Sequence, residues 1–221
     1  MERTGASCLL KNGDRILFEG DSLTRRSLLE EGEAPLRHVG YTASWVDVVE
    51  RMLLASYPEA RIAFFNRAVG GSRIADVLSR LEANLEAVTP TWVSLMIGVN
   101  DAYDSEVSTQ FAFPVGLEDV IRTCRFHHVE HLVFVTPTVH NEDADSSENA
   151  RLGQYAQAVH EVANRHNVRI VDAHERILSH LRSVRRAYRQ PYAITVDGVH
   201  MNAIGNQIIA QEWLKTLQFC L

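Results

Sequence analysis

Short apolar runs alternate with longer amphipathic segments along most of the chain. Five runs have the length and composition of buried strands: residues 15–20, 61–65, 92–97, 132–135 and 168–171. Between and after them, apolar residues recur at helical spacing. Four of these segments contain Trp45, Ile74, Ile177 and Ile204, one covers residues 115–127, and one is a long stretch that ends near Asn167. Nearly continuous apolar strands that alternate with helices predict a parallel sheet covered on both faces. With right-handed crossovers, the fold is expected to be a three-layer α/β/α sandwich.

Polar residues and glycines follow the first three strands at the point where each strand ends. Ser22 follows the first strand, at the point where we expect a crossover helix to begin, Gly71 follows the second, and Asn100 follows the third. In parallel α/β sheets, ligands lie beyond the carboxyl ends of the strands. A late segment, Asp197-Gly198-Val199-His200, lies in a loop that could return to the same edge. Four segments are therefore expected to build one site.

These residue types suit nucleophilic catalysis. A serine hydroxyl needs a base as it attacks, His200 is the natural base for Ser22, and Asp197 can hold the second ring nitrogen. The oxyanion could be stabilised by the Ser22 N–H, the Gly71 N–H and the Asn100 side-chain amide. Taken singly, each signal has an ordinary structural explanation, because Gly-Asp-Ser and Asp-Gly are also common turn sequences.

Four sequence blocks together resemble those of the SGNH (GDSL) hydrolases, in the same order and at similar spacing. The blocks are Gly20-Asp21-Ser22-Leu23, residues 66–71, Gly98-Val99-Asn100-Asp101 and Asp197-Gly198-Val199-His200. The resemblance extends from residue 15 to about residue 214 and implies a flavodoxin-like, five-stranded parallel sheet with the strand order 2-1-3-4-5. The G-x-S-x-G elbow of α/β-hydrolases fits poorly, because Thr24 stands at its second glycine.

The resemblance also implies a role for each residue of the site. It implies Ser22 as the nucleophile, Asp197 and His200 as the rest of a catalytic triad, and Gly71 and Asn100 as partners of Ser22 in an oxyanion hole. Such an enzyme needs no metal and no organic cofactor. Self-association into a homo-oligomer is a further expectation, from family analogy alone.

Within the superfamily, three stretches are most similar to intracellular acetylxylan esterases: residues 10–24, 92–101 and 142–154. The predicted function is therefore a serine esterase that hydrolyses short acyl esters, above all acetyl groups on carbohydrates such as acetylated xylo-oligosaccharides. One departure is Ala102-Tyr103, where these relatives place a tryptophan. The alternatives are an acyl thioesterase or lysophospholipase of the same superfamily, and a sugar-binding or scaffolding protein without turnover.

Three further residues are predicted to contact the substrate. Asp21 precedes the nucleophile, although its side chain could instead cap the turn or brace the nucleophile loop. Tyr103 and Tyr192 lie beside Asn100 and the Asp197 segment, where an aromatic ring could stack on a sugar. The long charged connection at residues 24–40 is expected to help wall the site.

Other clusters have a more ordinary interpretation. Gly70-Gly71 could cradle a phosphate, but no dinucleotide or Walker pattern accompanies it. His127, His128 and His131 are interpreted as a solvated surface cluster, not as metal ligands. A basic stripe is predicted to be a solvated face. The alternatives are a contact with an acidic patch (residues 142–145) across a subunit interface, and a rim of the site. The stripe consists of Arg182, Arg185, Arg186 and Arg189.

Composition narrows the function classes. The chain has 221 residues, of which 46% are hydrophobic, and no linker or repeat divides it, so one domain over residues 1–221 is expected. A net charge of -6 argues against nucleic acid as a partner. Neither a signal peptide nor a membrane span is predicted, and Cys8, Cys124 and Cys220 suggest reduced thiols in a cytoplasmic protein. The expected partner is a small-molecule ester.

Overall fold

A computed structural model describes residues 8–25, 44–103, 107–187 and 192–219. Its strands are β1 (Arg15–Gly20), β2 (Ala63–Asn66), β3 (Trp92–Met96), β4 (His131–Val135) and β5 (Arg169–Val171). Its α-helices are α1 (Trp45–Ser56), α2 (Ile74–Val88), α3 (Val99–Tyr103), α4 (Val107–Phe126), α5 (Ser147–His166), α6 (Ala173–Ala187) and α7 (Ala203–Thr216). A single 3₁₀ turn covers Pro58–Ala60. In these ranges, no helix combines the length and apolarity needed to span a membrane.

The strands form one parallel sheet in the order β2-β1-β3-β4-β5, which confirms the predicted fold. β1 lies between β2 and β3, and its residues Ile16, Leu17 and Phe18 are fully buried. Because all five strands run in the same direction, the residues that follow β1, β2 and β3 emerge at one edge of the sheet. This common edge brings the predicted site segments close together.

An aromatic cluster anchors the last helix beside β1. The rings of Phe18, Trp45 and Trp213 lie with centroids 5.5 to 6.4 Å apart, and all three side chains are fully buried. The indole N–H of Trp213 also donates to Ser94 Oγ of β3 at 3.0 Å. Burial of each large apolar side chain contributes about 1.5–3 kcal/mol. The cluster thereby fixes α7, and with it the loop that precedes α7, against the central strands.

Two local predictions were wrong. No helix begins at Ser22, because residues 21–25 form a turn in which the N–H groups of Thr24 and Arg25 both donate to Asp21 O. Helix α4 begins at Val107, and Pro114 lies inside it, so tertiary packing overrides the preference of proline for a helix start. Asn100 follows β3 as predicted, and it lies in the short helix α3, which sequence analysis did not predict.

Several predicted features lie outside the described residues. They are most of the 24–40 connection, Arg189 at the end of the basic stripe, and Cys220. Cys124 is fully buried, and burial raises the pKa of its thiol to about 12, whereas Cys8 is half-buried.

Candidate active site

A continuous hydrogen-bond chain joins the first strand to the loop before the last helix. His200 Nε2 lies 2.9 Å from Ser22 Oγ, and His200 Nδ1 lies 2.7 Å from Asp197 Oδ2. The serine follows β1, and the other two residues precede α7, so the chain spans 178 positions of sequence. The structure thus brings together the three residues that sequence analysis predicted as a triad.

Asp197 shapes the loop that carries the imidazole. Its Oδ1 atom accepts the N–H groups of Val199 at 3.0 Å and His200 at 2.8 Å, which leaves Oδ2 for the imidazole ring. Gly198, which follows Asp197, has φ at 91°, a conformation that favours glycine. Burial disfavours the charged carboxylate, but the bonds from His200 and Val199 outweigh it and lower the pKa of Asp197 to about 2. The carboxylate is therefore ionised at neutral pH.

The loop after β4 supports this segment from the other side. The Asn141 N–H donates to Gly198 O at 2.7 Å. Glu142 Oε1 accepts three bonds, from the N–H groups of Ile194 (3.0 Å) and Thr195 (2.9 Å) and from Thr195 Oγ1 (2.6 Å). Burial raises the pKa of Glu142, but these three bonds outweigh it and hold the pKa below its ordinary value. Sequence analysis had placed Glu142 in an acidic patch and in a stretch similar to acetylxylan esterases, without a role in supporting this loop.

A tight turn at residues 69–72 lies against the nucleophile. A Cβ atom built on Gly70 would lie 3.8 Å from Ser22 Cβ, so the turn lies beside the serine. Gly71 has φ at 78°, which glycine adopts without strain. Asn100 Nδ2 donates to Ser72 O at 3.0 Å, which ties α3 to the same turn. An amide nitrogen carries two hydrogens, so Asn100 retains a second donor.

Two carboxylates lie buried behind these segments. Asp21 is 1% exposed, and its Oδ1 atom accepts the Leu23 N–H at 2.9 Å. Asp101 is fully buried, and its Oδ1 atom accepts the Ile74 N–H at the start of α2 at 3.1 Å. Burial raises the pKa of Asp21 to about 7 and that of Asp101 to about 6. A buried turn cap cannot reach a ligand at the surface, so the geometry argues against the predicted substrate contact of Asp21.

The two predicted aromatic contacts differ in their surroundings. Tyr103 is 45% exposed at the end of α3, and its ring meets His140 edge-on with centroids 5.2 Å apart. Tyr192 is half-buried, and its hydroxyl lies 3.1 Å from His180 Nε2 of α6. Tyr103 therefore offers a ring near Asn100, whereas Tyr192 packs against α6.

The charged and histidine clusters have local partners. Arg182 Nε and Arg185 Nη1 lie 4.0 and 3.6 Å from the Asp145 carboxylate of the same chain, so part of the stripe pairs internally with the acidic patch. His131 lies over Trp92, with ring centroids 4.1 Å apart. Within the described ranges, no group of three or more His, Cys, Asp or Glu side chains is arranged to hold a metal ion.

Comparisons with known proteins point in the same direction as the geometry. The model of the GDSL-like lipase/acylhydrolase family matches residues 18–208. An acetylxylan esterase from Geobacillus stearothermophilus is 28% identical, over 94% of this chain and 95% of its own length. A solved structure of an acetyl xylan esterase variant from that organism is 26% identical with a TM-score of 0.80, and the match covers 96% of this chain and 98% of the other.

A more distant structure shares the fold. An α/β hydrolase enzyme from the metagenome of Lake Arreo, Spain, is 22% identical with a TM-score of 0.80, over 96% of this chain and 99% of its own.

Crystal structures of the Geobacillus esterase also include catalytic mutants in which a serine, an aspartate or a histidine is replaced by alanine. The aspartate lies three positions before the histidine. The family match covers most of the sequence, and the strand order agrees with it. The chain therefore belongs to the GDSL-like lipase/acylhydrolase family and is a carboxylic ester hydrolase.

Proposed function

We propose that this protein is a serine esterase that removes short acyl groups, above all acetyl, from carbohydrates such as acetylated xylo-oligosaccharides. The observation that carries the proposal is the chain of hydrogen bonds from Asp197 through His200 to Ser22 Oγ. The spacing of three positions between Asp197 and His200 equals that of the aspartate and histidine in the catalytic mutants of the Geobacillus esterase. The substrate class is carried over from that relative.

Acylation begins when Ser22 Oγ attacks the ester carbonyl carbon. His200 Nε2 takes the hydroxyl proton, and the Asp197 carboxylate stabilises the imidazolium that forms. The carbonyl π electrons move onto oxygen and give a tetrahedral oxyanion. When this intermediate collapses, the bond to the alcohol oxygen breaks, and His200 returns the proton to the departing sugar hydroxyl. The acyl group then remains bonded to Ser22.

Deacylation repeats these steps with water. His200 Nε2 takes a proton from water as its oxygen attacks the acyl carbon, and a second tetrahedral oxyanion forms. Collapse of this intermediate breaks the bond to Ser22 Oγ, which regains the proton from His200 as the acid departs. The cycle uses only groups of this chain and one water molecule.

Three N–H donors are proposed for the oxyanion. They are the backbone N–H groups of Ser22 and Gly71 and the second hydrogen of the Asn100 side-chain amide. The proximity of Gly70 to Ser22 and the bond from Asn100 to Ser72 O support this assignment, because they bring all three segments together. Loss of one such donor typically costs about a hundred- to a thousand-fold in rate.

The direct experiment compares two serine variants with p-nitrophenyl acetate as the substrate. Ser22→Ala is expected to lower kcat by about a thousand-fold or more. Ser79→Ala, which changes an exposed serine of α2, is the matched control and is expected to retain full activity. If Ser22→Ala retains more than about a few per cent of the turnover, the proposed nucleophile is wrong.

The substrate class requires a second experiment. Release of acetate is measured on a panel of acetylated oligosaccharides, beside a series of nitrophenyl esters of increasing chain length. We expect acetyl esters to be the best substrates, with activity falling as the acyl chain lengthens. A preference for long acyl chains would favour the lysophospholipase or thioesterase alternative.

A further inference from the structure

An arginine of α2 reaches under the site and contacts both turns that flank the nucleophile. Arg80 Nη2 donates to Gly20 O at 2.8 Å, and Arg80 Nη1 donates to Ser72 Oγ at 3.0 Å. Gly20 ends β1 two residues before Ser22, and Ser72 directly follows Gly71. One planar guanidinium therefore spans the gap between the two segments whose N–H groups are proposed to bind the oxyanion.

Gly20 and Ser72, which both accept from Arg80, are also linked to each other through Val69. Gly20 O accepts the Val69 N–H at 3.1 Å, and Ser72 Oγ donates to Val69 O at 2.7 Å. Arg80 thus closes a ring of hydrogen bonds that includes the end of β1 and the tight turn at residues 69–72. Movement of either segment relative to the other would break bonds in this ring.

A buried carboxylate holds the arginine in place. Arg80 Nε donates to Glu19 Oε2 at 3.2 Å, and Asn84 Nδ2 donates to Glu19 Oε1 at 2.6 Å. The Glu19 side chain is fully buried, and the Arg80 side chain is 20% exposed. Arg80 and Asn84 are four residues apart, so they lie on the same face of α2. All three nitrogens of the guanidinium thus donate a hydrogen bond. A lysine ammonium lacks the planar fork that such an arrangement needs.

From this geometry we propose that Arg80 is a positioning residue, which sets the relative placement of the Ser22 and Gly71 N–H groups and so completes the oxyanion hole. The inference rests on the proposed function, because it assumes that an oxyanion forms on Ser22. Arg80 acts through Gly20 and Ser72 and does not itself contact the substrate. Its loss is therefore expected to lower kcat and to leave KM nearly unchanged.

The experiment compares Arg80→Lys with Asn84→Ala, which removes one bond to Glu19 Oε1 and keeps the bonds of Arg80 to Glu19 Oε2, Gly20 and Ser72. For p-nitrophenyl acetate, Arg80→Lys is expected to lower kcat about ten- to a hundred-fold, with KM within about two-fold of wild type. Asn84→Ala is expected to lower the Tm and to keep kcat within about two-fold. Ser72→Ala, which removes one arm of the bridge and replaces a small side chain, is expected to give an intermediate fall in kcat and keeps the test valid if Arg80→Lys does not fold.

A second readout follows the reaction of Ser22 alone, at a temperature where every variant is folded, so that a general loss of structure does not contribute. A fluorophosphonate places a phosphoryl oxygen where the oxyanion forms, so its rate of reaction with Ser22 is expected to fall by the same factor as kcat in both Arg80→Lys and Ser72→Ala. The inference is overturned if both variants keep wild-type kcat, if KM rises while kcat is unchanged, or if Asn84→Ala loses as much kcat as they do. Turnover in Ser22→Ala would overturn the proposed function instead, whereas an inactive Ser22→Ala beside fully active Arg80→Lys and Ser72→Ala would overturn only the role of Arg80.

Discussion

Replacement of Glu142 by alanine tests how the loop that carries the imidazole is held. The Glu142 side chain lies beyond β4, and its Oε1 atom is the shared acceptor for three donors of Ile194 and Thr195. Those two residues begin the segment that ends in Asp197 and His200. Glu142→Ala removes the acceptor and leaves two backbone N–H groups and one hydroxyl without it.

The size of the effect follows from the number and surroundings of these bonds. A hydrogen bond contributes about 0.5–1.5 kcal/mol net, and about 1.5–3 kcal/mol when one partner is charged. Glu142 is only half-buried, so water can replace part of the loss, and the lower values apply. Three bonds then give about 2–4 kcal/mol. For a chain of this length, each kcal/mol corresponds to about 2–4 °C in Tm, so Glu142→Ala is expected to lower the Tm by on the order of 5–15 °C.

The assay combines thermal unfolding with esterase kinetics at a temperature where every variant is folded. Glu142→Ala is expected to lower kcat as well as Tm, because the position of His200 depends on this loop. Glu142→Gln retains a carbonyl oxygen that can accept the same bonds, so it should lose less of both quantities. Asp143→Ala, at the neighbouring exposed carboxylate, is the matched control and should have little effect on kcat.

Two results would contradict this reasoning. A Tm for Glu142→Ala within about 1 °C of wild type would mean that water or other bonds replace the carboxylate completely. Equal losses of activity in Glu142→Ala and Asp143→Ala would mean that the negative charge of the patch matters, and not the three bonds to Oε1.

Three further predictions concern other parts of the site. Gly198→Ala is expected to destabilise the protein by about 1–3 kcal/mol in chemical denaturation and to lower kcat, because the new Cβ would clash with Asn141 Oδ1. Gly13→Ala is the control, since Gly13 also has a positive φ but has open space around it. It should cost only about 1 kcal/mol and keep full activity. Asn100→Ala is expected to lower kcat about a hundred- to a thousand-fold with little change in KM, and a fall of less than about three-fold would exclude it as an oxyanion donor. The folded-state pKa of Asp21, about 7, lies above its ordinary value of 3.8, so the folded state holds this proton more tightly and stability falls as pH rises between those values. Asp21→Asn removes this titration, so its Tm relative to wild type should increase between about pH 4 and pH 7, and a constant difference would contradict the raised pKa.

The sheet could be predicted from sequence because its signal is local. Apolar runs such as residues 16–18 require burial on both faces, and the alternation of strands with helices leaves few arrangements. Local signals failed where packing decides the conformation. The fourth helix was predicted to begin near residue 115, yet Phe113 is fully buried against Tyr155, with ring centroids 5.0 Å apart, and the helix continues through Pro114.

The site was only partly predictable for a related reason. Ser22, Asp197 and His200 lie in short blocks with recognisable spacing. Glu142, by contrast, bonds to Ile194, 52 positions away, and Arg80 bonds to Gly20, 60 positions away. No local pattern indicates such partners. One signal was present, since Glu19 is a charged residue within an apolar strand, and a buried carboxylate requires a cationic or hydrogen-bonding partner.

The most direct measurement of the central claim is the site of covalent labelling by a fluorophosphonate, mapped by peptide mass spectrometry. The account predicts a single phosphonyl group per chain on Ser22, and much slower labelling in His200→Ala, because the serine then lacks its base. A label on any other residue, or labelling of Ser22→Ala at the wild-type rate, would contradict it.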